Sequence, residues 1–209
     1  MGTKNISMAV IRRLPKYHRY LGDLLDKDIQ RISSKELSDI IGFTASQIRQ
    51  DLNNFGGFGQ QGYGYNVEAL YNEIGKILGL DKKYNAILIG AGNLGQAIAN
   101  YSGFRKAGFE IKALFDANPR MIGLKIRDFE ILDSQEIESV VKENEIDIAI
   151  LCIPKNGAQE IVNRLVNVGI KGVWNFAPID LEVPNDVIVE NVNLTESLFT
   201  LSYLMKETE

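Results

Sequence analysis

A glycine-rich turn near the middle of the chain has the spacing of a phosphate-binding loop. Gly90, Gly92 and Gly95 follow a short apolar segment and open a helical pattern. In dinucleotide-binding folds the first glycine permits a tight turn, the second admits the pyrophosphate and the third allows close helix packing. The predicted phosphate site is the loop Gly90, Ala91, Gly92, Asn93, Leu94 and Gly95; a purely structural glycine turn is the alternative.

An acid at the end of the next predicted strand fits the same ligand. Asp116 comes 21 residues after Gly95, where a carboxylate can accept hydrogen bonds from both hydroxyls of an adenosine ribose. A negative charge there would repel a 2′-phosphate. The sequence therefore predicts NAD(H) rather than NADP(H) as the cofactor.

Side chains for catalysis are harder to find. A dehydrogenase usually needs a general acid or base near the nicotinamide, but the only histidine, His18, lies far along the chain from the glycine turn. Cys152 sits in an apolar segment and is expected in the core, and it has no second cysteine for a metal site. Lys155 is either a catalytic lysine or a solvated loop charge. We predict no catalytic residue and no metal, which favours a binding protein over an enzyme.

A polar helix face near residue 50 is equipped to read bases. Arginine pairs with guanine, and glutamine and asparagine pair with adenine, in the major groove. The face contains Ser46, Gln47, Arg49, Gln50 and Asn53. An ordinary polar helix surface is the alternative.

Two capping boxes place this helix in a helix-turn-helix. Ser33 with Glu36 predicts the start of one helix, and Thr44 with Gln47 the start of the next. Residues 8–25 predict an earlier helix bent by Pro15. Residues 55–65 alternate glycines with aromatics, which suits a β-hairpin wing; a flexible linker is the alternative.

The N-terminal part is cationic although the net charge of the chain is −4. Residues 1–80 carry +2 and the remainder −6. Arg12, Arg13 and Lys16 lie in a segment of twenty residues without an acid. Such a segment attracts a polyanion, or it is a solvated helix face.

Strands and helices alternate from residue 84 onward, which is typical of a doubly wound α/β domain with a parallel sheet. The predicted strands are 86–89, 111–115, 148–153 and 172–176, and the predicted helices are 94–106, 135–143 and 158–168. Residues 194–205 form a last apolar helix, which must dock on its own sheet or on a partner subunit.

The length of 209 residues allows one large domain or two small ones, and 45% hydrophobic residues are enough for a packed core. The longest apolar run, residues 148–153, is too short to cross a bilayer, and the N-terminus has no secretory pattern. We expect a cytoplasmic protein without a membrane partner.

These motifs, in this order and spacing, closely resemble the Rex family of bacterial redox-sensing transcriptional repressors. The matching segments are 12–15, 17–21, 33–37, 46–52, 62–67, 90–95 and 175–178. The resemblance implies an N-terminal winged helix-turn-helix domain (1–80), a Rossmann-type NAD(H)-binding domain (81–193) and a C-terminal helix (194–209) exchanged in a homodimer. It also implies that the dimer binds palindromic operator DNA, a double-stranded partner, and that NADH, the preferred cofactor, releases it.

The resemblance also assigns residues. The DNA-binding set is Arg12, Arg13, Lys16, Ser46, Gln47, Arg49, Gln50, Gly62, Tyr63 and Gly64. Arg19, Tyr101 and Asn193 match the positions of the family's switch contact, with Asn193 in the place of an acid. The expected nicotinamide pocket contains Ile153, Pro154, Phe176, Pro178 and, from the partner, Leu194. The alternative function is an NAD-dependent oxidoreductase or a CoA-binding, ligase-like domain.

Overall fold

The fold is given by a computed structural model that describes residues 6–56, 58–60 and 63–208. The chain divides after Lys82 into two compact units, each with its own hydrophobic core. The elements of the first unit are α1 (Met8–Ile11), α2 (Leu14–Leu25), β1 (Arg31–Ile32), α3 (Ser34–Ile41), α4 (Ala45–Asn53), β2 (Gly59–Gln60), β3 (Gly64–Asn66) and α5 (Val67–Ile77).

The prediction of one bent helix over residues 8–25 is wrong, because the helix is interrupted at Arg12 and Arg13. Pro15 lies in the first turn of α2, where its missing N–H needs no partner. Proline therefore begins a second helix here rather than bending a single one.

Helix caps define the helix-turn-helix. Ser33 Oγ accepts from the Glu36 N–H at 3.1 Å, and the Glu36 carboxylate accepts from the Ser33 N–H at 2.7 Å, so the first capping box is complete. Thr44 caps α4 in the same way, but the Gln47 side chain turns to Asp51 instead of back to Thr44. The second box is therefore only half formed.

The hairpin prediction for the glycine-rich segment is confirmed. Strands β2 and β3 pair antiparallel, and β3 also pairs with β1, a strand that periodicity did not indicate. Tyr65 is buried in the core of this unit, and Phe58 packs against that core. A flexible linker would not bury these rings, so the segment is a wing.

The second unit contains the alternating strands and helices. Its elements are β4 (Tyr84–Ile89), α6 (Asn93–Ala99), α7 (Gly103–Lys106), β5 (Phe109–Asp116), β6 (Lys125–Ile126), β7 (Phe129–Asp133), a 3₁₀ turn (Ser134–Glu136), α8 (Ile137–Glu143), β8 (Ile148–Leu151), α9 (Ala158–Asn167), β9 (Gly172–Asn175), β10 (Ile188–Asn191) and α10 (Leu194–Lys206).

Within the described residues these strands form one sheet in the order β10-β9-β8-β4-β5-β7-β6. All neighbours are parallel except β6 and β7. The chain builds outward from β4 through β5 to β7, and then returns to the other side of β4 with β8. The doubly wound prediction is confirmed, and the reversal between β4 and β8 is where such sheets bind ligands, at the carboxyl ends of the strands.

Two details differ from the predicted elements. The helix predicted over residues 94–106 is two helices, α6 and α7, separated at residues 100–102. Strands β6, β7 and β10 were not predicted, because they lie at or beside the sheet edges and are only partly apolar. Such strands lack the continuous apolar run of a central strand.

No helix among the described residues is long and apolar enough to cross a membrane.

Candidate dinucleotide and nucleic-acid sites

The turn after β4 requires glycine at its first position. Gly90 has a φ of +99°, and a Cβ there would lie 2.4 Å from the carbonyl oxygen of Cys152 and 2.8 Å from Cγ2 of Ile153. Its N–H donates to the Phe115 carbonyl at 2.8 Å. The turn is thus held between β5 and the segment that follows β8.

The surroundings of the other two glycines of the loop differ from each other. A Cβ at Gly95 would lie 1.8 Å from the Gly90 carbonyl oxygen, so only glycine lets α6 pack on the turn. A Cβ at Gly92 would meet nothing within 4 Å, and its φ of −69° suits any residue. Neither packing nor backbone conformation requires glycine at position 92, but a phosphate approaching the backbone would need that open space.

Asp116, at the end of β5, faces this loop. Its Oδ2 accepts from the Ala91 N–H at 2.7 Å, and its Oδ1 accepts from the Asn118 N–H at 2.8 Å. A carboxylate offers about four acceptor positions, so each oxygen keeps capacity for a ribose hydroxyl. The loop and the acid therefore fit the adenosine and pyrophosphate of a dinucleotide.

The expected nicotinamide residues follow neighbouring strands. Strands β8 and β9 pair with Leu151 opposite Asn175, and the Phe176 N–H donates to the Leu151 carbonyl at 2.9 Å. This register brings the segment containing Ile153 beside the segment containing Phe176. In this single chain Ile153 and Phe176 are half-buried. Pro154, Pro178 and Leu194 are exposed.

Asn175, which was not predicted as a site residue, holds the loop containing Phe176 and Pro178. Its side chain is buried, and Nδ2 donates to the Ile179 carbonyl at 2.9 Å and to Oδ1 of Asn191 at 2.8 Å. Its Oδ1 accepts from the Ala177 N–H at 3.0 Å. Asn191 precedes the Asn193 cap of α10 by two residues, so one buried amide ties this loop to the strand that leads into the last helix.

The three side chains considered for catalysis lie in different surroundings. Burial raises the pKa of the Cys152 thiol to about 12, which favours the protonated thiol at neutral pH. Lys155 is exposed on a loop. His18 stacks on Tyr71 with ring centroids 4.1 Å apart, and burial lowers its pKa. In the described part of the chain, no three His, Cys, Asp or Glu side chains are grouped so as to hold a metal ion.

Most positions of the base-reading face predicted on α4 are exposed to solvent. Ser46, Arg49 and Gln50 are exposed, and Arg49 donates to Oγ of Ser34 at 2.8 Å. Gln47 is half-buried. Its amide nitrogen donates to Oδ1 of Asp51 at 2.8 Å, and Asp51 is fully buried.

Asp51 was not predicted as a functional residue, yet four donors converge on it. Arg13 donates from Nε to Oδ2 at 2.6 Å and from Nη2 to Oδ1 at 2.8 Å, and the Tyr17 hydroxyl donates to Oδ2 at 2.7 Å. Burial opposes ionisation of Asp51, but the bonds from Arg13, Tyr17 and Gln47 outweigh burial and lower its pKa. Burial, followed by the bond to Asp51, raises the pKa of Tyr17. The carboxylate therefore joins α2 to α4 in its charged form.

Two further cations of the predicted DNA-binding set lie within and just before α2. The Lys16 ammonium lies 4.8 Å from the centre of the Phe43 ring. Arg12 lies in the turn before α2.

The wing requires glycine at position 64. Gly64 has a φ of +71°, and a Cβ there would lie 2.7 Å from the Ile32 carbonyl oxygen. Tyr63 is exposed at the tip of the hairpin, whereas Gly62 lies outside the described residues.

The three residues matched to a switch lie in different units. Arg19, in the first unit, lies over the Tyr20 ring at 4.9 Å. Tyr101, in the second unit, is exposed and contacts the Phe104 ring edge-on at 4.8 Å. Asn193 caps α10, because its Oδ1 accepts from the Thr195 N–H at 3.0 Å, and its Nδ2 donates to Glu196 at 3.2 Å.

Comparisons with known proteins cover both units. Residues 81–179 match the family model "CoA binding domain", and residues 5–53 match the model "Putative DNA-binding protein N-terminus". The chain is 86% identical over 207 residues to the redox-sensing transcriptional repressor Rex of Clostridioides difficile (strain 630), covering 99% of each chain. It is 67% identical over 204 residues to the Rex of Thermoanaerobacter sp. (strain X514), covering 98% of this chain and 91% of the relative.

Solved structures agree with the sequence relatives. One is described as RSP in complex with beta-NAD+ and operator DNA; it is 66% identical, with a TM-score of 0.92, and 99% of this chain and 95% of that chain are covered. Another is RSP in complex with beta-NADH, at 63% identity and a TM-score of 0.91, with 99% and 97% covered. Identity at this level over nearly the whole length places the chain in the Rex family of redox-sensing transcriptional repressors.

Proposed function

We propose that this protein is a transcriptional repressor that senses the ratio of NADH to NAD⁺, binds a palindromic operator as a homodimer and is released from it by NADH. One combination of findings supports this proposal most strongly. The chain has the glycine loop and the acid of a dinucleotide site, and relatives have been solved with operator DNA and with NADH. The candidate dinucleotide site and the polar face of α4 would serve the same classes of ligand here.

The second unit supplies the cofactor site. The open space at Gly92 receives the pyrophosphate. Asp116 accepts hydrogen bonds from the ribose hydroxyls and would repel a 2′-phosphate. A bound nicotinamide cofactor supplies a ring that is cationic when oxidised and neutral when reduced. Ile153, Phe176 and Pro178 are apolar, and burying a charge among apolar groups is costly. These side chains therefore favour the reduced form.

The first unit supplies the DNA-binding surface. Ser46, Arg49 and Gln50 are exposed on α4 and suit the edges of bases in the major groove. The cations before and within α2, Arg12 and Lys16, suit backbone phosphates. The wing, with Tyr63 at its tip, suits the neighbouring backbone.

A second copy of the chain is expected to cover two apolar surfaces of the second unit. No residue of α10 within the described chain is buried, although the helix exposes seven large hydrophobic side chains along its length: Leu194, Leu198, Phe199, Leu201, Tyr203, Leu204 and Met205. On the sheet, an apolar groove of about 390 Å³ is lined by Ile150, Trp174 and Ile188, among others. Large exposed apolar surfaces of this kind mark interfaces, and exchange of α10 between subunits would cover its apolar side.

DNA and NADH would then select different arrangements of one dimer. Because coupling between two ligands is reciprocal, each weakens the other by the same factor, typically about 1–3 kcal/mol. Such a regulator needs no bond to be made or broken.

One alternative function is that of a CoA-binding, ligase-like domain, which the family model described as a CoA binding domain suggests. The other is an NAD-dependent oxidoreductase. Asp116 argues against CoA, because the adenosine ribose of CoA carries a phosphate that a carboxylate would repel.

Fluorescence anisotropy on palindromic DNA tests the proposal, with NADH, NAD⁺ and CoA titrated separately. We expect salt-dependent binding that NADH reverses at lower concentration than NAD⁺ does, and no effect of CoA. DNA binding that is indifferent to NADH would contradict the sensor, and turnover of NADH with a substrate would favour the enzyme.

A further inference from the structure

The buried carboxylate of Asp51 lies directly behind the predicted base-reading face of α4. Its two oxygens accept four hydrogen bonds, two from Arg13 and one each from Tyr17 and Gln47. Four is about the full capacity of a carboxylate, and the side chain has no exposed surface. Asp51 therefore cannot touch DNA itself and can act on it only through its partners.

Gln47 is the partner whose orientation matters for sequence reading. An amide side chain can place either its oxygen or its nitrogen toward a neighbour. Asp51 is ionised and accepts only, so it admits the nitrogen and excludes the oxygen. The Gln47 oxygen is thereby turned away from Asp51, and one of the two N–H bonds of the amide remains for another acceptor.

An oxygen beside one N–H is the arrangement that pairs with adenine, which offers N6–H₂ as donor and N7 as acceptor in the major groove. Guanine presents two acceptors at the same edge, and the Gln47 oxygen would face one of them without a hydrogen bond. An amide held in one orientation rejects guanine, whereas an amide free to turn over discriminates less.

Arg13 keeps the carboxylate charged and in place for this task. The Arg13 guanidinium makes a two-bond contact that neutralises the charge of Asp51, so an acid is tolerated on a helix that faces a polyanion. Since Gln47 and Asp51 are four residues apart on α4, they lie on adjacent turns of one face.

We propose that Asp51 is a positioning residue for base recognition, which holds the Gln47 amide with its nitrogen inward and so makes Gln47 selective for adenine at one base pair of each operator half-site. This assignment rests on the proposed DNA-binding function.

The test is a specificity profile of the full-length protein against an operator library in which every base pair is varied. For Asp51→Asn we expect the preference for adenine at one position of each half-site to fall by about tenfold, the discrimination one bidentate contact provides. Gln47→Ala should lose the same preference, and the double variant should lose no more than either single variant, because both remove one contact.

Tyr17→Phe is the matched control. It also removes a hydrogen bond to Asp51 but leaves the bond to Gln47, so its base preferences should equal those of the wild type. If Asp51→Asn weakens all sequences equally, Asp51 has a structural role only and the assignment is wrong. If the wild type selects no sequence at all, the DNA-binding proposal itself fails.

A measurement on the wild type decides the matter if Asp51→Asn does not fold. We expect the Gln47 amide proton that is donated to Asp51 to exchange with solvent at least about tenfold more slowly than the amide protons of Gln50, which is exposed on the same helix. Equal exchange rates would show that the Gln47 amide is not held, and would overturn the proposal.

Discussion

The backbone N–H of Ala91 donates a hydrogen bond of 2.7 Å to Oδ2 of Asp116, although the two residues are 25 positions apart. The acid that is expected to bind the cofactor ribose thus also supports the loop that is expected to bind its phosphates. Ala91 is fully buried, so this contact sets the distance between the two halves of the proposed NAD(H) site.

Asp116→Ala should lower NADH affinity by about tenfold or more, because hydrogen bonds to a charged acceptor are worth about 1.5–3 kcal/mol each. Release from DNA should then require correspondingly more NADH. Calorimetry and anisotropy measure the two effects, with Glu143→Ala as the control, an exposed acid at the end of α8. Titration curves that match the wild type would count against the assigned pocket.

Alanine substitutions at Gly92 and Gly95 should separate binding from folding. Gly92→Ala has open space for its Cβ, so its stability should change by no more than about 0.5 kcal/mol. Its NADH affinity should fall because the methyl group takes up room needed by a phosphate. Gly95→Ala should destabilise the second unit by about 1–3 kcal/mol, since its Cβ meets the Gly90 carbonyl oxygen. Thermal unfolding measures the stability of both variants, and calorimetry measures their NADH affinity. Full NADH affinity in folded Gly92→Ala would contradict a phosphate site at Gly92.

Asp51 should make the stability of the protein depend on pH in the acid range. Its pKa is lowered in the folded state from an ordinary value of 3.8, so its contribution is present at neutral pH and is lost as the pH falls below that value. Asp51→Asn should cost about 2–3 kcal/mol at neutral pH, less than for a fully buried pair, because Arg13 is partly exposed. Urea unfolding from about pH 7 to about pH 3 should show the two proteins converging in stability. A constant difference across this range would mean that the charge of Asp51 does not contribute.

Gln50→Lys should strengthen DNA binding at low salt without affecting the fold. Gln50 is exposed on α4, and each added phosphate contact steepens the slope of log K against log salt by about 1. Because glutamine pairs with adenine, Gln50 predicts a shift of the operator toward A/T-rich sequence. Binding selections on the wild type and the variant measure both effects. A G/C-rich half-site selected by the wild type would contradict the role given to Gln50.

Features that depend on neighbours in the chain could be read from the sequence. The glycine loop, the acid after the second strand and the Ser33 cap are local patterns, because a turn, a strand end and a helix start each need particular residue types at short spacing. The central strands were also predicted, since both of their faces are buried and their sequences are continuously apolar.

Features that depend on distant residues needed the tertiary structure. Asp51 looked like one polar residue of an ordinary helix face, and only packing of α2 against α4 brings Arg13, 38 positions away, onto its carboxylate. Asn175 likewise gains its role from the pairing of β9 with β10, which sets its amide beside Asn191. Local conformation follows from each residue's own backbone and side-chain preferences. The partners of a buried polar group follow from which elements pack together, and residue spacing along the chain does not specify that packing.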